Sequence, residues 1–317
     1  MADSNESAAH PDAGGHYNWL HGPNGLRAGW RLAIFFAIFI PLGYVVGLCA
    51  GRLLRSVHAD RSTPLGGILT LGLFVPVLLL ASWIMGKIEG RGLAAYGLPW
   101  RRAFGRQFWQ GAAFGFLSLT ALLLAMKLAG VLSFGQITLP TADTFRYAVA
   151  WAVPLFLAAL LEDFTYRGYL LFTLSTGIGF WPAAIVTSLL MGGIHYFNPG
   201  GHGLGPVAAT MYCLVTVLVL RRTGDLWMPL GIHWAWGWGE IFFYGVTSSG
   251  FTARGHLLAT SVYGPQWLSG GAFGPEARVL NLALLLIWWI IFSRWLRGVK
   301  YPNPDYVRKR QMAAASA

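Results

Sequence analysis

The chain has 317 residues, of which 55% are hydrophobic and 11% are charged. Soluble domains carry about 25% charged residues, so this composition excludes an ordinary soluble domain and indicates a membrane protein with several spans. The net charge of +11 does not predict a nucleic-acid partner, because the basic residues punctuate the apolar runs, as signals of membrane topology do, and do not cluster in one stripe.

The chain begins with a polar stretch and then alternates apolar runs with loops. Residues 1–26 lack the basic start and apolar centre of a signal peptide, and we expect a disordered cytosolic tail there. Residues 27–298 are predicted to form one transmembrane domain, and residues 299–317 a basic cytosolic tail. The predicted fold class is all-α, a polytopic transmembrane helix bundle of about eight spans, each near the roughly 20 residues that a bilayer requires. The eight apolar runs are 29–50, 65–85, 108–132, 146–174, 181–196, 206–220, 229–246 and 279–295.

Eight spans place both chain termini on the same side of the membrane, and the basic residues indicate which side. The connections after the second and sixth spans and the C-terminal tail are rich in Lys and Arg, whereas the connections on the other side carry fewer. We therefore expect an N-in and C-in orientation, with anionic membrane lipid favoured at the inner surface. The predicted location is a bacterial inner (plasma) membrane. We find no internal repeat typical of a transporter built from two halves.

Three ionisable residues, Glu162, Asp163 and Arg167, interrupt the fourth apolar run. A charged side chain at membrane depth costs at least about 2.5 to 3.5 kcal/mol, so such residues usually mark a functional site. Asp163 and Arg167 are four residues apart on one helix face, in the favourable order for an ion pair. Glu162 lies about 100° away around the helix, which leaves it free to react or bind. The alternative is that all three residues face a seam between helices and hold the bundle together.

Few other polar residues lie inside the apolar runs. His195 ends the fifth run, His233 lies near the start of the seventh, and Glu240 follows on the same face as His233. Imidazoles and a carboxylate suit either a zinc ion with an open water position or direct activation of water by a Glu base. Counting along the runs, however, puts Glu162 and His195 at about 20 Å from the inner surface, and His233 only four residues into its run. Either the seventh span begins deeper, or His233 lies outside the site.

Three motifs follow one another on separate spans, and they resemble the signature of a known family. The family is the CPBP (CAAX protease and bacteriocin-processing, or Abi) family of intramembrane proteases, with the pattern Glu-Glu-x-x-x-Arg, Phe-x-x-x-His and His-x-x-x-Asn. The resemblance covers a core at about 146–250. The motifs read Glu162-Asp163-x-x-x-Arg167, Met191-x-x-x-His195 and His233-x-x-x-Gly237.

The resemblance implies an integral membrane endopeptidase similar to type II CAAX prenyl proteases, acting on a peptide or membrane-protein substrate. In such an enzyme Glu162 activates a water molecule. His195 and His233 bind a metal, with zinc as the candidate, or stabilise the oxyanion. Asp163 and Arg167 complete the predicted catalytic set. The motifs leave open whether the protease is of the metallo or the glutamate type.

Departures from the family pattern favour a second hypothesis. The second acid is an Asp, which keeps the charge, and Met191 replaces Phe. Gly237 replaces the Asn, which removes a donor of the kind worth about 10²- to 10³-fold in rate. Glu240, or an indole N–H of Trp234 or Trp236, could replace this donor.

The alternative function is a non-catalytic membrane scaffold or immunity-type protein on the same fold. A third hypothesis is a transporter that relays protons through Glu162 and the histidines.

Overall fold

The computed structural model describes residues 19–22 and 25–302. The predicted tail over 1–26 and the basic tail over 299–317 lie largely outside the described residues and stay predictions. In the described part, two short antiparallel pairs join β1 (His21–Gly22) to β2 (Gly25–Leu26) and β3 (Leu132–Ser133) to β4 (Ser261–Val262). The α-helices are α1 (Ala28–Ser56), α2 (Pro64–Glu89), α3 (Arg106–Leu128), α4 (Thr141–Asp163), α5 (Leu171–Ile178), α6 (Phe180–His195), α7 (Leu204–Thr223), α8 (Trp227–Trp238), α9 (Gln266–Ser269) and α10 (Val279–Trp295).

The all-α bundle is confirmed, and the chain is an integral, multi-pass membrane protein. Among the described residues, 5 helical stretches are long and apolar enough to cross a membrane, and α6 and α10 are shorter apolar helices. The number of eight spans and the N-in orientation stay predictions. The five stretches are α1, α2, α3, α7 and the continuous stretch Thr141–Ile178.

Local sequence signals set the bounds of α2. The Thr63 hydroxyl accepts the N–H of Gly66 at 3.3 Å, and Pro64 occupies the first helical position, where its missing N–H removes no hydrogen bond. The helix ends at Gly90, whose φ of 64° is readily adopted by glycine.

The fourth apolar run forms one stretch of 38 residues with a change of helix type in the middle. The α-helix ends at Asp163, a π-helical segment covers Phe164–Leu170, and α5 continues the stretch. Such wide turns are rare and frequently occur at functional sites. The helical turns therefore become wider directly after Glu162 and Asp163.

The seventh run begins inside the protein. Asp225, Leu226 and Trp227 are fully buried, and the Leu226 N–H donates to the Gly97 carbonyl at 2.8 Å. This buried start resolves the depth conflict in the sequence, because distance along an apolar run measures depth only when the run starts at the surface. His233 is thereby placed to contact α4.

The connections between helices gather at two ends of the bundle. At the first, the closed end, the Leu226–Gly97 hydrogen bond joins the connection before α8 to the one after α2. At the second, the open end, the Arg254 N–H donates to the Ser62 carbonyl at 2.9 Å, and β3 pairs with β4. The closed end comprises 90–105, 179, 224–226 and 296–302, and the open end comprises 57–63, 129–140, 196–203 and 245–278.

A buried polar cluster ties four segments together near the closed end. Arg31 of α1 forms an ion pair with Glu89 of α2, and both side chains are at most 4% exposed. The Tyr169 hydroxyl donates to Glu89 at 2.8 Å, and Arg31 donates to the Thr176 hydroxyl at 2.9 Å. The cluster fixes α1 and α2 against the π-helical segment and α5.

We predict that Glu89→Gln destabilises the folded protein by about 3 to 5 kcal/mol, because it leaves the Arg31 charge buried without its partner. The measurement is the thermal unfolding midpoint of the protein in detergent. Asp143→Asn is the control, since it breaks an exposed pair with Arg146 that is worth about 0 to 1 kcal/mol. Equal midpoints for the two variants would contradict the prediction.

Candidate active site

Glu162, His195 and His233 line one cavity of about 360 Å³. They come from α4, α6 and α8, so the packing of three helices brings the three motifs together. The other two predicted site residues, Asp163 and Arg167, are fully buried and do not line the cavity. The predicted convergence is therefore present, with two residues behind the cavity wall.

The Asp163 carboxylate forms the hydrogen bonds that join Arg167 and His233 at the site. It accepts from Arg167 on the next turn, which confirms the ion pair expected from their spacing, and from Nδ1 of His233 at 2.8 Å. A carboxylate paired with an Arg can only accept hydrogen bonds, so Nδ1 of His233 carries the hydrogen. The other ring nitrogen, Nε2, lies 3.7 Å from the Glu162 carboxylate. Asp163 thereby sets both the orientation and the tautomer of His233.

Glu162 has a different environment from its neighbour. Its side chain is 37% exposed, against 0% for Asp163, and this exposed part faces the cavity. The helical rotation of about 100° between successive residues accounts for the difference. Glu162 is thus a carboxylate open to water and substrate.

His195 is held at the end of α6 by its own helix. Its Nδ1 lies 2.8 Å from the Met191 carbonyl, and since a carbonyl accepts, Nδ1 donates and Nε2 is left for the cavity. The Met191 sulfur lies 3.5 Å from an Arg167 nitrogen, which donates to it. Met191, in the place of the family Phe, thus gives the buried guanidinium a weak acceptor.

Tyr212 of α7 is a cavity residue that the sequence analysis missed. Its ring centre lies 5.6 Å from that of His233 and 5.2 Å from the Arg167 guanidinium carbon. Its buried hydroxyl has no hydrogen-bond partner among the described residues. A tyrosine inside an apolar run gives no signal that separates it from packing or interfacial aromatic residues.

The structure corrects two suggestions about which residue could replace the hydrogen-bond donor of the motif Asn, whose position Gly237 occupies. The Trp234 indole donates to the Ala152 carbonyl at 2.9 Å, so it is already used. Glu240 does not line the cavity, and its fully buried carboxylate lies beside Glu276. Gly237 does line the cavity, and a Cβ there would have Leu155 Cδ2, at 3.9 Å, as its nearest neighbour.

A metal site is not assembled by the described side chains. Two imidazole Nε2 atoms and the Glu162 carboxylate are the donor types of catalytic zinc. The described residues nevertheless contain no group of three His, Cys, Asp or Glu placed to hold a metal ion. The donor types suit zinc, but the described side chains are not placed around a common metal position, so zinc binding by His195 and His233 stays a prediction.

Comparison with known proteins gives one match. Residues 144–239 match the family model described as type II CAAX prenyl endopeptidase Rce1-like. No curated protein and no solved structure matches the chain. The matched segment contains Glu162, Asp163, Arg167, His195 and His233, and the match supports the assignment of the chain to the CPBP family of CAAX-type membrane proteases.

Proposed function

We propose that this protein is an intramembrane endopeptidase that hydrolyses a peptide bond at or in the membrane. The observation that carries the proposal is the open Glu162 carboxylate, 3.7 Å from a His233 ring that Asp163 holds from behind. One acid exposed to the cavity and one acid buried as support is the division of roles that a general base needs.

Glu162 acts as the general base in this reaction. It takes a proton from a water molecule, whose oxygen attacks the scissile carbonyl carbon, and the carbonyl oxygen becomes an oxyanion. When the carbon–nitrogen bond breaks, Glu162 returns the proton to the leaving amine. The exposure of Glu162 to the cavity supports this role, because both water and substrate can reach it.

The oxyanion needs hydrogen-bond donors. In their neutral forms His195 and His233 present Nε2 lone pairs, so they hold the water, and they donate to the oxyanion only when protonated. The Tyr212 ring lies beside His233, but its hydroxyl is buried in the cavity wall, so the protonated histidines are the proposed oxyanion donors.

The proposed substrate is a peptide or membrane protein, and the proposed location is a bacterial inner membrane, in contact with lipid. The second candidate is a non-catalytic scaffold or immunity-type protein. It is favoured by Gly237, which leaves the position of the Asn donor open.

Glu162→Gln is expected to lower kcat about 10²- to 10⁴-fold, because the amide cannot accept the water proton. The measurement is cleavage of a fluorescence-quenched peptide library by the detergent-purified protein. Glu240→Gln is the matched control, since it removes a second membrane-depth carboxylate that does not line the cavity. Full activity of Glu162→Gln would refute the base role, and no cleavage by the unmodified protein would favour the scaffold.

Asp163→Asn is expected to lower the thermal midpoint in detergent as well as the activity. The substitution leaves the fully buried Arg167 without its counter-charge, which costs about 3 to 5 kcal/mol. Glu162→Gln should change the free energy of unfolding by no more than about 0.5 kcal/mol, since its side chain faces an open cavity. The double variant Asp163→Asn, Arg167→Met should recover part of the stability; a further loss would contradict this assignment.

Gly237→Asn is expected to raise kcat, by up to about 10²-fold, because the new amide adds an oxyanion donor. The free space around the Gly237 position allows the side chain to enter the cavity. Gly237→Leu is the control, since it fills the same space without a donor. If Asn and Leu change kcat alike, the cavity does not use a donor at this position.

A further inference from the structure

A second carboxylate lines the cavity that holds Glu162. Glu276 belongs to the open-end connection that precedes α10, and its partly exposed side chain is part of the cavity wall. Glu162 and Glu276 are the two carboxylates among the described residues of this wall, and Arg61 is its one Lys or Arg. The hydrolysis proposed for Glu162 does not use Glu276. A charged group of the cavity is therefore left without an assigned role.

The Glu276 side chain is held in one orientation by neutral donors. The Ser249 N–H and the Ser249 hydroxyl each donate to it at 3.1 Å, and the Ser248 hydroxyl donates to it at 3.4 Å. Ser249 is held in turn by the Asn198 side chain, which donates to its carbonyl at 3.0 Å. None of these donors carries a charge. The carboxylate is thus fixed in place, and its donors do not neutralise it.

The protein supplies no direct cation partner to this carboxylate. Among the described residues, Glu276 forms no ion pair. The neighbouring Arg278 is fully buried, donates to the Ser269 carbonyl and does not line the cavity. A carboxylate offers about four acceptor sites, so Glu276 can accept further hydrogen bonds from a molecule in the cavity. Because a charge in a cleft with apolar walls attracts the opposite charge, we expect that molecule to present a cation.

A buried acceptor without a donor lies beside the Glu276 backbone. Asn281, in the first turn of α10, lines the cavity and is 4% exposed. Its amide nitrogen donates to the Glu276 carbonyl at 2.9 Å, which fixes the orientation of the amide. Its amide oxygen has no hydrogen-bond partner in the part of the chain that the structure describes. Buried amide oxygens usually have a donor, and a ligand with several N–H groups would supply one.

Aromatic side chains line the same cavity. The Phe273 ring, three residues before Glu276, has its centre 6.4 Å from that of His195, and the ring centres of Trp236 and Trp288 are 5.6 Å apart. Apolar surface of this kind suits the methylene stem of a long basic side chain. The face of an aromatic ring also attracts a cation within about 6 Å. Both parts of a lysine or arginine side chain therefore find a matching surface in this cavity.

We infer that Glu276 is a specificity-determining residue that binds a lysine or arginine side chain of the peptide segment in the cavity. The basic head group donates to the Glu276 carboxylate, and the stem lies against the aromatic wall. The contact of Phe273 with His195 places this subsite on the side of the cavity where α6 ends. The preferred ligand is then an apolar segment with one basic residue. That this ligand is a substrate rests on the proposed function, whereas its binding does not.

Peptide binding tests the subsite without any need for activity. The protein used is the detergent-purified Glu162→Gln variant, which lacks the proposed base and also the other carboxylate of the cavity wall. The probes are fluorescein-labelled peptides of one alanine- and leucine-rich sequence, each with a single lysine at a different position. A matched set carries norleucine in place of the lysine, which keeps the stem and removes the ammonium group. The measurement is Kd by fluorescence anisotropy.

At one position of the series, we expect lysine to bind about 10- to 100-fold more tightly than norleucine, because its hydrogen bond to Glu276 is charge-assisted. Adding Glu276→Gln should remove this preference. Adding Asp143→Asn should keep it, since Asp143 is an exposed carboxylate at the start of α4 that does not line the cavity. Equal Kd values for lysine and norleucine at every position would overturn the inference, as would a preference that survives Glu276→Gln. The lysine and norleucine sets are compared before any change at Glu276, so a folding defect of that variant cannot hide the result.

Cleavage of the same peptides by the unmodified protein separates the subsite from the proposed function. A lysine preference in binding with no cleavage of any peptide would refute the proposed function and leave the subsite standing. Cleavage that depends on Glu162, with no lysine preference in binding, would refute the subsite and leave the proposed function standing. We expect both the preference and the cleavage, with kcat/KM higher for the lysine peptide than for its norleucine counterpart.

Discussion

The Asp163 carboxylate is the group on which the site depends. It is fully buried and accepts hydrogen bonds from Arg167 on its own helix and from His233 on α8. The first contact neutralises two charges that would otherwise be very costly at membrane depth. The second contact fixes an imidazole across the gap between two helices. One carboxylate thus makes the charged stretch of α4 tolerable and aligns α8 with it.

The arrangement around Asp163 leaves the adjacent Glu162 unpaired with Arg167 and open to the cavity. Because Asp163 balances the charge of Arg167, Glu162 is not needed as its counter-ion and remains open to the cavity. The π-helical segment begins directly after the two acids and contains Arg167 in its buried interior. Successive residues of one helix therefore have different environments: Asp163 is buried and supports His233, and Glu162 faces the cavity.

The extent of the apolar runs and the spacing of charged residues predicted much of this structure. The extent of the apolar runs predicted the helices, and the four-residue spacing of Asp163 and Arg167 predicted their ion pair. The buried start of α8 was only one of two alternatives at the level of the sequence, because the length of an apolar run does not reveal where the protein surface lies. The place of Tyr212 was not predictable, because it depends on how α7 packs against α8. Contacts between distant helices are set by packing, and a single sequence carries no direct record of them.

The closed end of the bundle seals the cavity. Arg102 pairs with the buried Asp225 at 3.1 Å just before α8, and the Arg221 guanidinium lies 4.1 Å from the Phe180 ring centre. These contacts hold the closed-end connections together. Because none of the residues that line the cavity belongs to the closed-end connections of the described chain, the cavity is sealed at this end and open at the other.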